Sequence, residues 1–241
     1  MKLQIRDLNA HYGTSHVLFG VNLDVRAGET VALVGRNGAG KTTMLQCVMG
    51  MSGIGKTGSI KVDGVETIGM PAHRVVRLGV GLVPEGRRVF KNLTVEENLL
   101  VAAGTRARAG SPRTRSPRMR SDEEDTRDNA WPLERVFEVF PLLTDVRDSK
   151  GAWLSGGEQQ VLAIARALVA NPRMLLLDEP SKGLAPRVVK TLVEQLAVIR
   201  HTGLAMLLAE QHLGLVGELA NRAYVLDRGA ILESETVCQF R

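Results

Sequence analysis

Three stretches of the chain are apolar at almost every position: Thr30–Val34, Met174–Leu177 and Leu204–Ala209. Unbroken apolar runs of this length, closed by turn or polar residues, predict strands buried on both faces of a parallel sheet. The first opens into a Gly-rich loop, the second runs into Asp178-Glu179 and the third into Glu210. Shorter strands with Gly-containing turns precede them, Leu3-Gln4-Ile5 and Val21-Asn22-Leu23-Asp24-Val25. Helical stretches fall at 41–49, stopped by Gly50, and at 94–101 and 131–140. Another begins near Gly157 and carries Val161, Leu162, Ile164, Ala165 and Leu168 along one stripe. Strands alternating with helices predict an α/β fold whose site lies at the carboxyl ends of the strands.

The stretch Gly104–Asp128 breaks this pattern, with six Arg ahead of the acidic run Asp122-Glu123-Glu124-Asp125. Without apolar periodicity it reads as a disordered insertion. Its seven Arg against five acids supply part of the formal net charge of +5. What is left on the other residues is too little for a nucleic-acid footprint, so no nucleic-acid partner is expected. The length, 241 residues, suits one large α/β domain or a catalytic core with a small companion. Aromatics make up only 4%, so the core must rest on Leu, Val, Ile and Ala. Cys47 and Cys238 lack ligand-spaced neighbours and read as reduced thiols rather than a metal or disulfide framework. The start of the chain reads as a strand rather than a signal peptide, and no run approaches the ~20 apolar residues of a membrane helix. Any work at a membrane would need a spanning partner.

Gly35-Arg36-Asn37-Gly38-Ala39-Gly40-Lys41-Thr42 fits G-x-x-x-x-G-K-[ST] between a predicted strand and helix. Glycines let successive N–H groups turn toward phosphate oxygens, and the helix adds its positive end. Lys41 would meet the β- and γ-phosphates, and Thr42 would offer a hydroxyl to Mg²⁺, with Thr43 beside it. This loop binds a nucleoside triphosphate without choosing among GTPases, kinases, helicases and motors. Asp178 at a strand tip suits a Mg²⁺ site, and Glu179 is placed to polarise an attacking water.

Leu154-Ser155-Gly156-Gly157-Glu158-Gln159-Gln160 opens the amphipathic helix. Ser155 with Glu158 predicts a capping box, yet two adjacent glycines in a first turn are poor helix formers. Their presence predicts close backbone approach, as at a second phosphate-binding surface built from Ser155 and Gly157. The string Leu-Ser-Gly-Gly-Glu, about twenty residues ahead of the acidic strand, resembles the signature of the ABC (ATP-binding cassette) ATPases. That resemblance covers essentially the whole chain outside Gly104–Asp128. It implies a P-loop NTPase core with a mostly parallel sheet flanked by helices, an N-terminal antiparallel β subdomain and a small α-helical signature subdomain. The expected division is 1–85 with 160–241 for the core and 86–159 for the helical part. Tyr12 falls where the family stacks an aromatic on adenine, and His212 where a switch histidine meets the γ-phosphate.

Two positions depart from the family pattern. Glu85 follows Val83-Pro84 where Gln is usual, and Ala185 follows Ser181-Lys182-Gly183-Leu184 where Asp is usual. Glu85 can still reach Mg²⁺ or water, but it adds negative charge and loses a donor. Pro84–Phe90, Leu93–Leu99 and Ser181–Pro186 resemble one ATPase subunit of branched-chain amino-acid importers, with urea and amide importers as the alternative. This implies ATP and Mg²⁺ as ligands, with ATP held between the P-loop of one subunit and the signature of a sister subunit or second copy. The implied partners are membrane-spanning permease subunits, docking over 87–100, and indirectly a solute-binding protein; the implied place is peripheral, on the cytoplasmic face of the inner membrane. A soluble ABC ATPase without a transporter would carry a second cassette, coiled-coil arms or zinc cysteines, a GTPase an Asn-Lys-x-Asp string, and none is present.

Overall fold

A computed structural model describes residues 1–109 and 130–236. The central sheet has six strands in the order β10-β9-β3-β8-β7-β6. These are β3 (Thr30–Val34), β6 (Val80–Val83), β7 (Met174–Asp178), β8 (Ala205–Glu210), β9 (Arg222–Asp227) and β10 (Ala230–Thr236). All neighbours pair in parallel except the edge strand β10, which is antiparallel to β9. A second, antiparallel sheet runs β2-β1-β4-β5, from β1 (Leu3–Tyr12), β2 (Ser15–Val25), β4 (Gly55–Val62) and β5 (Val65–Glu66). The three apolar runs are indeed the central strands.

Alternation along these strands divides the core. Met174 and Leu176 of β7, with Ala205, Leu207 and Ala209 of β8, pack on one side with Met44, Leu45 and Val48 of α1 (Lys41–Val48) and the inner face of the second sheet. Leu175, Leu177, Met206 and Leu208 face the opposite way. There they meet α3 (Val95–Ala109), α6 (Gly156–Val169) and α7 (Pro186–His201) through Leu99, Leu162, Ala165, Leu192 and Leu196. Register sets the strand ends level: Val34 pairs with Glu210, Ala209 with Asp178, and Leu177 with Val83. The loops leaving β3, β6, β7 and β8 therefore emerge together.

The short helices are α2 (Ala72–Arg77), α4 (Leu133–Val139), α5 (Pro141–Asp145) and α8 (Leu213–Leu219). Helix α3 is longer than its apolar pattern suggests: it continues to Ala109, helical at 104–109 where an unstructured insertion was expected to begin. Most of that insertion lies outside the described residues, as does Cys238. A box at the start of α3, in which the Thr94 amide donates to Glu97 Oε2 at 2.8 Å and the Glu97 amide to Thr94 Oγ1 at 3.1 Å, fixes its first turn. Asn98, fully buried, accepts from the Phe90 amide and donates to the carbonyls of Phe90, Leu93 and Thr94, pinning the preceding loop to the helix. Burial raises the thiol pKa of Cys47, behind α1, to about 11, which keeps it an unreactive core residue. Among the described residues no helix is long and apolar enough to cross a membrane.

Candidate active site

The loop between β3 and α1 owes its shape to two glycines with positive φ, Gly38 at 82° and Gly40 at 110°. Gly40 caps α1 without a side chain, and a Cβ there would lie 2.7 Å from Leu18 Cδ2, so the first turn keeps its amides free of a capping side chain. Asn37 and Gly38 stand exposed at the crest, while Ala39 and Gly40 are buried beneath. Lys41 turns back under the loop with a side chain only 3% exposed. Its Nζ donates to Gly35 O at 2.7 Å and Arg36 O at 3.1 Å, and pairs with Glu179 Oε1 at 3.0 Å. Thr42 Oγ1 donates to Asp178 Oδ1 at 3.1 Å. At the far end of β1, Tyr12 is exposed, its hydroxyl donating to Gln46 Oε1 at 2.9 Å and lying 3.5 Å from Thr43 Oγ1. The ring thus stands beside the helix that follows the loop.

The two acids at the end of β7 sit in unlike surroundings. Burial pushes the Asp178 carboxyl above its ordinary pKa, and the charges of Glu179 and Glu85 add to this; the Thr42 hydroxyl and the Glu85 amide offset only part. Burial pushes Glu179 upward too, but hydrogen bonds and charge from Lys41 and Lys182 outweigh it, leaving that carboxyl below the usual range. Glu179 also holds a left-handed backbone, φ 46°, with its amide donating to Ala209 O at 2.8 Å. Such a conformation is costly for a residue with a Cβ and is retained where a side chain must be aimed. Glu85, read from the sequence as a metal ligand, places Oε1 2.7 Å from Lys182 Nζ, and the same ammonium lies 3.0 Å from Glu179 Oε2. Lys182 was not singled out by its sequence context.

Nor was Glu210. Its carboxylate is buried and accepts from the amides of Ser181 (3.0 Å), Gln211 (2.8 Å) and His212 (3.0 Å), tying the loop after β7 to the loop after β8. His212 caps α8, with Nδ1 accepting from the Leu215 amide at 3.2 Å. A neutral ring held in this way carries its proton on Nε2, where it can be donated to an incoming oxygen.

The capping box predicted for α6 is present: Glu158 N donates to Ser155 Oγ at 3.3 Å, and Ser155 N to Glu158 Oε2 at 2.6 Å. The two glycines behind it have neighbours within the chain itself. A Cβ on Gly156 would collide with the Arg87 guanidinium, and one on Gly157 would lie 2.8 Å from Val188 Cγ1 of α7. Arg87 also reaches Gly183 O at 3.4 Å, so one side chain spans three loops. Among the described residues neither Ser155 nor Gly157 is joined by a hydrogen bond or ion pair to Lys41, Asp178, Glu179 or His212. The structure thus gathers Lys41, Thr42, Asp178, Glu179, Glu85 and Lys182 into one network and leaves the signature turn apart from it.

No group of three or more His, Cys, Asp or Glu side chains among the described residues could hold a metal unaided. The hydroxyl of Thr42 with the carboxylates of Asp178 and Glu85 is instead a sparse, hard-oxygen set, suited to Mg²⁺ when phosphate oxygens and water complete the shell.

Comparison with known proteins agrees with this chemistry. A family model described as ABC transporter matches residues 18–182. The high-affinity branched-chain amino acid transport ATP-binding protein BraG of Pseudomonas aeruginosa is 38% identical over 234 residues, 97% of this chain and 92% of the relative. The probable branched-chain amino acid transport ATP-binding protein LivF of Archaeoglobus fulgidus is 34% identical, over 93% of this chain and 87% of its own. A solved ATP-binding subunit of an ABC transporter superposes with a TM-score of 0.75 at 25% identity, covering 99% of this chain and 91% of that one. Sheet order, phosphate loop and these likenesses converge: the chain belongs to the ABC transporter family, as an ATP-binding subunit that hydrolyses ATP.

Proposed function

We propose that this chain powers the uptake of branched-chain amino acids through membrane-spanning permease subunits that it meets from the cytoplasmic face of the inner membrane. The likeness to BraG and LivF over most of both chains supports the solute. The observation that carries the chemistry is the 3.0 Å approach of Lys41 to Glu179, with Thr42 bonded to Asp178 alongside. Phosphate-holding and water-activating groups of this kind have to lie within one nucleotide length of each other.

Lys41 and the amides of Gly38, Ala39 and Gly40 hold the phosphates, with Gly35 and Asn37 shaping the loop, while Tyr12 supports the base. Thr42, Asp178 and Glu85 would hold Mg²⁺, which would supply charge neutralisation on the phosphate oxygens. Glu179, kept ionised and strained into place, orients water toward the γ-phosphate, and His212 donates Nε2–H to an oxygen of that group. Ser155 and Gly157 close on the nucleotide of the second ATPase subunit, apart from the network that holds this chain's own. The described residues 86–109 and 130–159 form the helical part, and 1–85 with 160–236 the core.

Glu179→Gln keeps the shape and loses the ionised carboxylate. It should retain ATP binding and lose at least about a hundredfold in turnover, the usual scale of a general base; substantial remaining hydrolysis would place the base elsewhere. For the transport assignment, the chain should co-purify from gently solubilised membranes with two permease subunits and a second ATPase. Recovery alone in the soluble fraction, still hydrolysing ATP, would refute it.

A further inference from the structure

The cation Lys182 has no role in the mechanism above, yet among the described residues it pairs with both Glu85 and Glu179. Its Nζ lies 2.7 Å from Glu85 Oε1 and 3.0 Å from Glu179 Oε2, and Glu179 Oε1 in turn lies 3.0 Å from Lys41. The result is an alternating ladder, Lys41–Glu179–Lys182–Glu85, that crosses the loops after β3, β7 and β6. Two cations balance two of the three carboxylates clustered there, and Asp178 is the third.

Nucleotide changes that balance. A triphosphate at the loop engages the ammonium of Lys41 and competes with Glu179 for it. Glu179 then keeps one cation, Lys182, while several negative charges arrive nearby. Mg²⁺ offsets only part of the triphosphate's charge, so with Glu85 carrying a full charge, where an amide would carry none, the site without Lys182 would hold one more unneutralised carboxylate beside an anionic ligand.

We propose that Lys182 is a positioning residue for ATP hydrolysis, the counter-ion that lets this site carry a carboxylate at Glu85 and still accept Mg-ATP. It acts through Glu85 and Glu179 rather than by touching the phosphates. The proposal rests on the nucleotide-site reading given above. Because Lys182 is nearly half exposed, with a side chain 47% accessible, replacing it should not endanger folding.

The test is a double-variant cycle on the full chain, with Mg-ATP affinity measured by calorimetric titration and kcat and KM by phosphate release. Lys182→Ala should weaken Mg-ATP binding and raise KM by about fivefold, the scale of one screened charge left unbalanced. Lys182→Arg should hold affinity near wild type. Lys182→Ala combined with Glu85→Gln should recover most of the lost affinity, because the charge that needed balancing is gone. An unchanged affinity in Lys182→Ala overturns the proposal. So does a loss that Glu85→Gln fails to recover, which would mean that the lysine acts through some other partner. Wild-type chain that does not bind Mg-ATP at all would overturn the nucleotide-site reading itself, and the proposal with it.

Discussion

Replacing Lys41 with Met is the sharpest perturbation of this site, because it keeps an unbranched apolar stem and removes the terminal ammonium. The lysine is almost fully buried and spends its ammonium on Gly35 O, Arg36 O and Glu179 Oε1 at 2.7, 3.1 and 3.0 Å. When triphosphate arrives, the two carbonyl contacts can persist and the carboxylate contact is exchanged for phosphate. The variant therefore forgoes the surplus of one charge-assisted contact, about 1.5–3 kcal/mol, which is roughly 10- to 150-fold in Kd. Titrating wild type and Lys41→Met with Mg-ATP in parallel gives this ratio directly. Stability should fall as well, because the variant leaves the buried Glu179 carboxylate with Lys182 as its remaining cation and takes the donor from two carbonyls. The pH dependence has a definite sign. Glu179 has a lowered pKa in the folded chain, so its contribution to stability is present above the unfolded carboxyl pKa and is lost as pH falls through the folded value. Lys41→Met removes part of that depression, so its stability deficit should be largest near neutrality and close in acid. Equal Kd values for the two proteins would refute the reasoning outright, whatever the melting curves do.

Gly157→Ala should lower the melting temperature, an overpacking cost of about 1–3 kcal/mol against Val188, and Val188→Ala in the same chain should restore it; no recovery would mean that α7 does not set this glycine. Asn98→Ala strips the partners from the Phe90 amide and three carbonyls at once. It should cost about 2–4 kcal/mol in urea unfolding, with a loss under 1 kcal/mol speaking against a latched loop. Arg222→Met breaks a forked pair to Glu29, at 2.6 and 3.1 Å, and a bond to Asp24 O, and should cost about 2 kcal/mol. Glu29 also has a lowered pKa, since hydrogen bonds and charge from Arg222 and Arg26 outweigh its burial. Its stabilisation is therefore lost as pH falls through that lowered value, and the gap between the two proteins in urea should narrow there; a gap independent of pH would dissociate Glu29 from Arg222.

What could be read from the sequence followed from local grammar. Apolar runs become central strands because nothing but a two-sided core accommodates Met174–Leu177, and the phosphate loop and the Ser155–Glu158 box are written in consecutive residues. The extent of α3 past residue 101 could not be read that way, because its added turns carry Arg and Gly with no apolar stripe. Lys182 and Glu210 were obscured for a different reason. Each acts through residues far away in the chain, Glu85 at one end and Ser181 at the other, and only the level strand ends bring them together. The glycines of the signature suggested close approach by a phosphate, whereas in the folded chain the side chains of Arg87 and Val188 lie against them.

The division of the core by the central sheet has a mechanical consequence. Lys41 is rooted in the layer on one side and Ser155 in the layer on the other, so the sheet is a stiff plate with a different tool mounted on each surface. A plate packed on both sides does not flex cheaply. Relative rotation of the two tools is left to the short segments at the plate's rim, 84–88, 179–184 and 210–212, and the first two of these hold the left-handed residues Gly86, Arg87, Arg88, Glu179 and Gly183. Torsion between the two tools would therefore fall in these segments rather than in either packed layer.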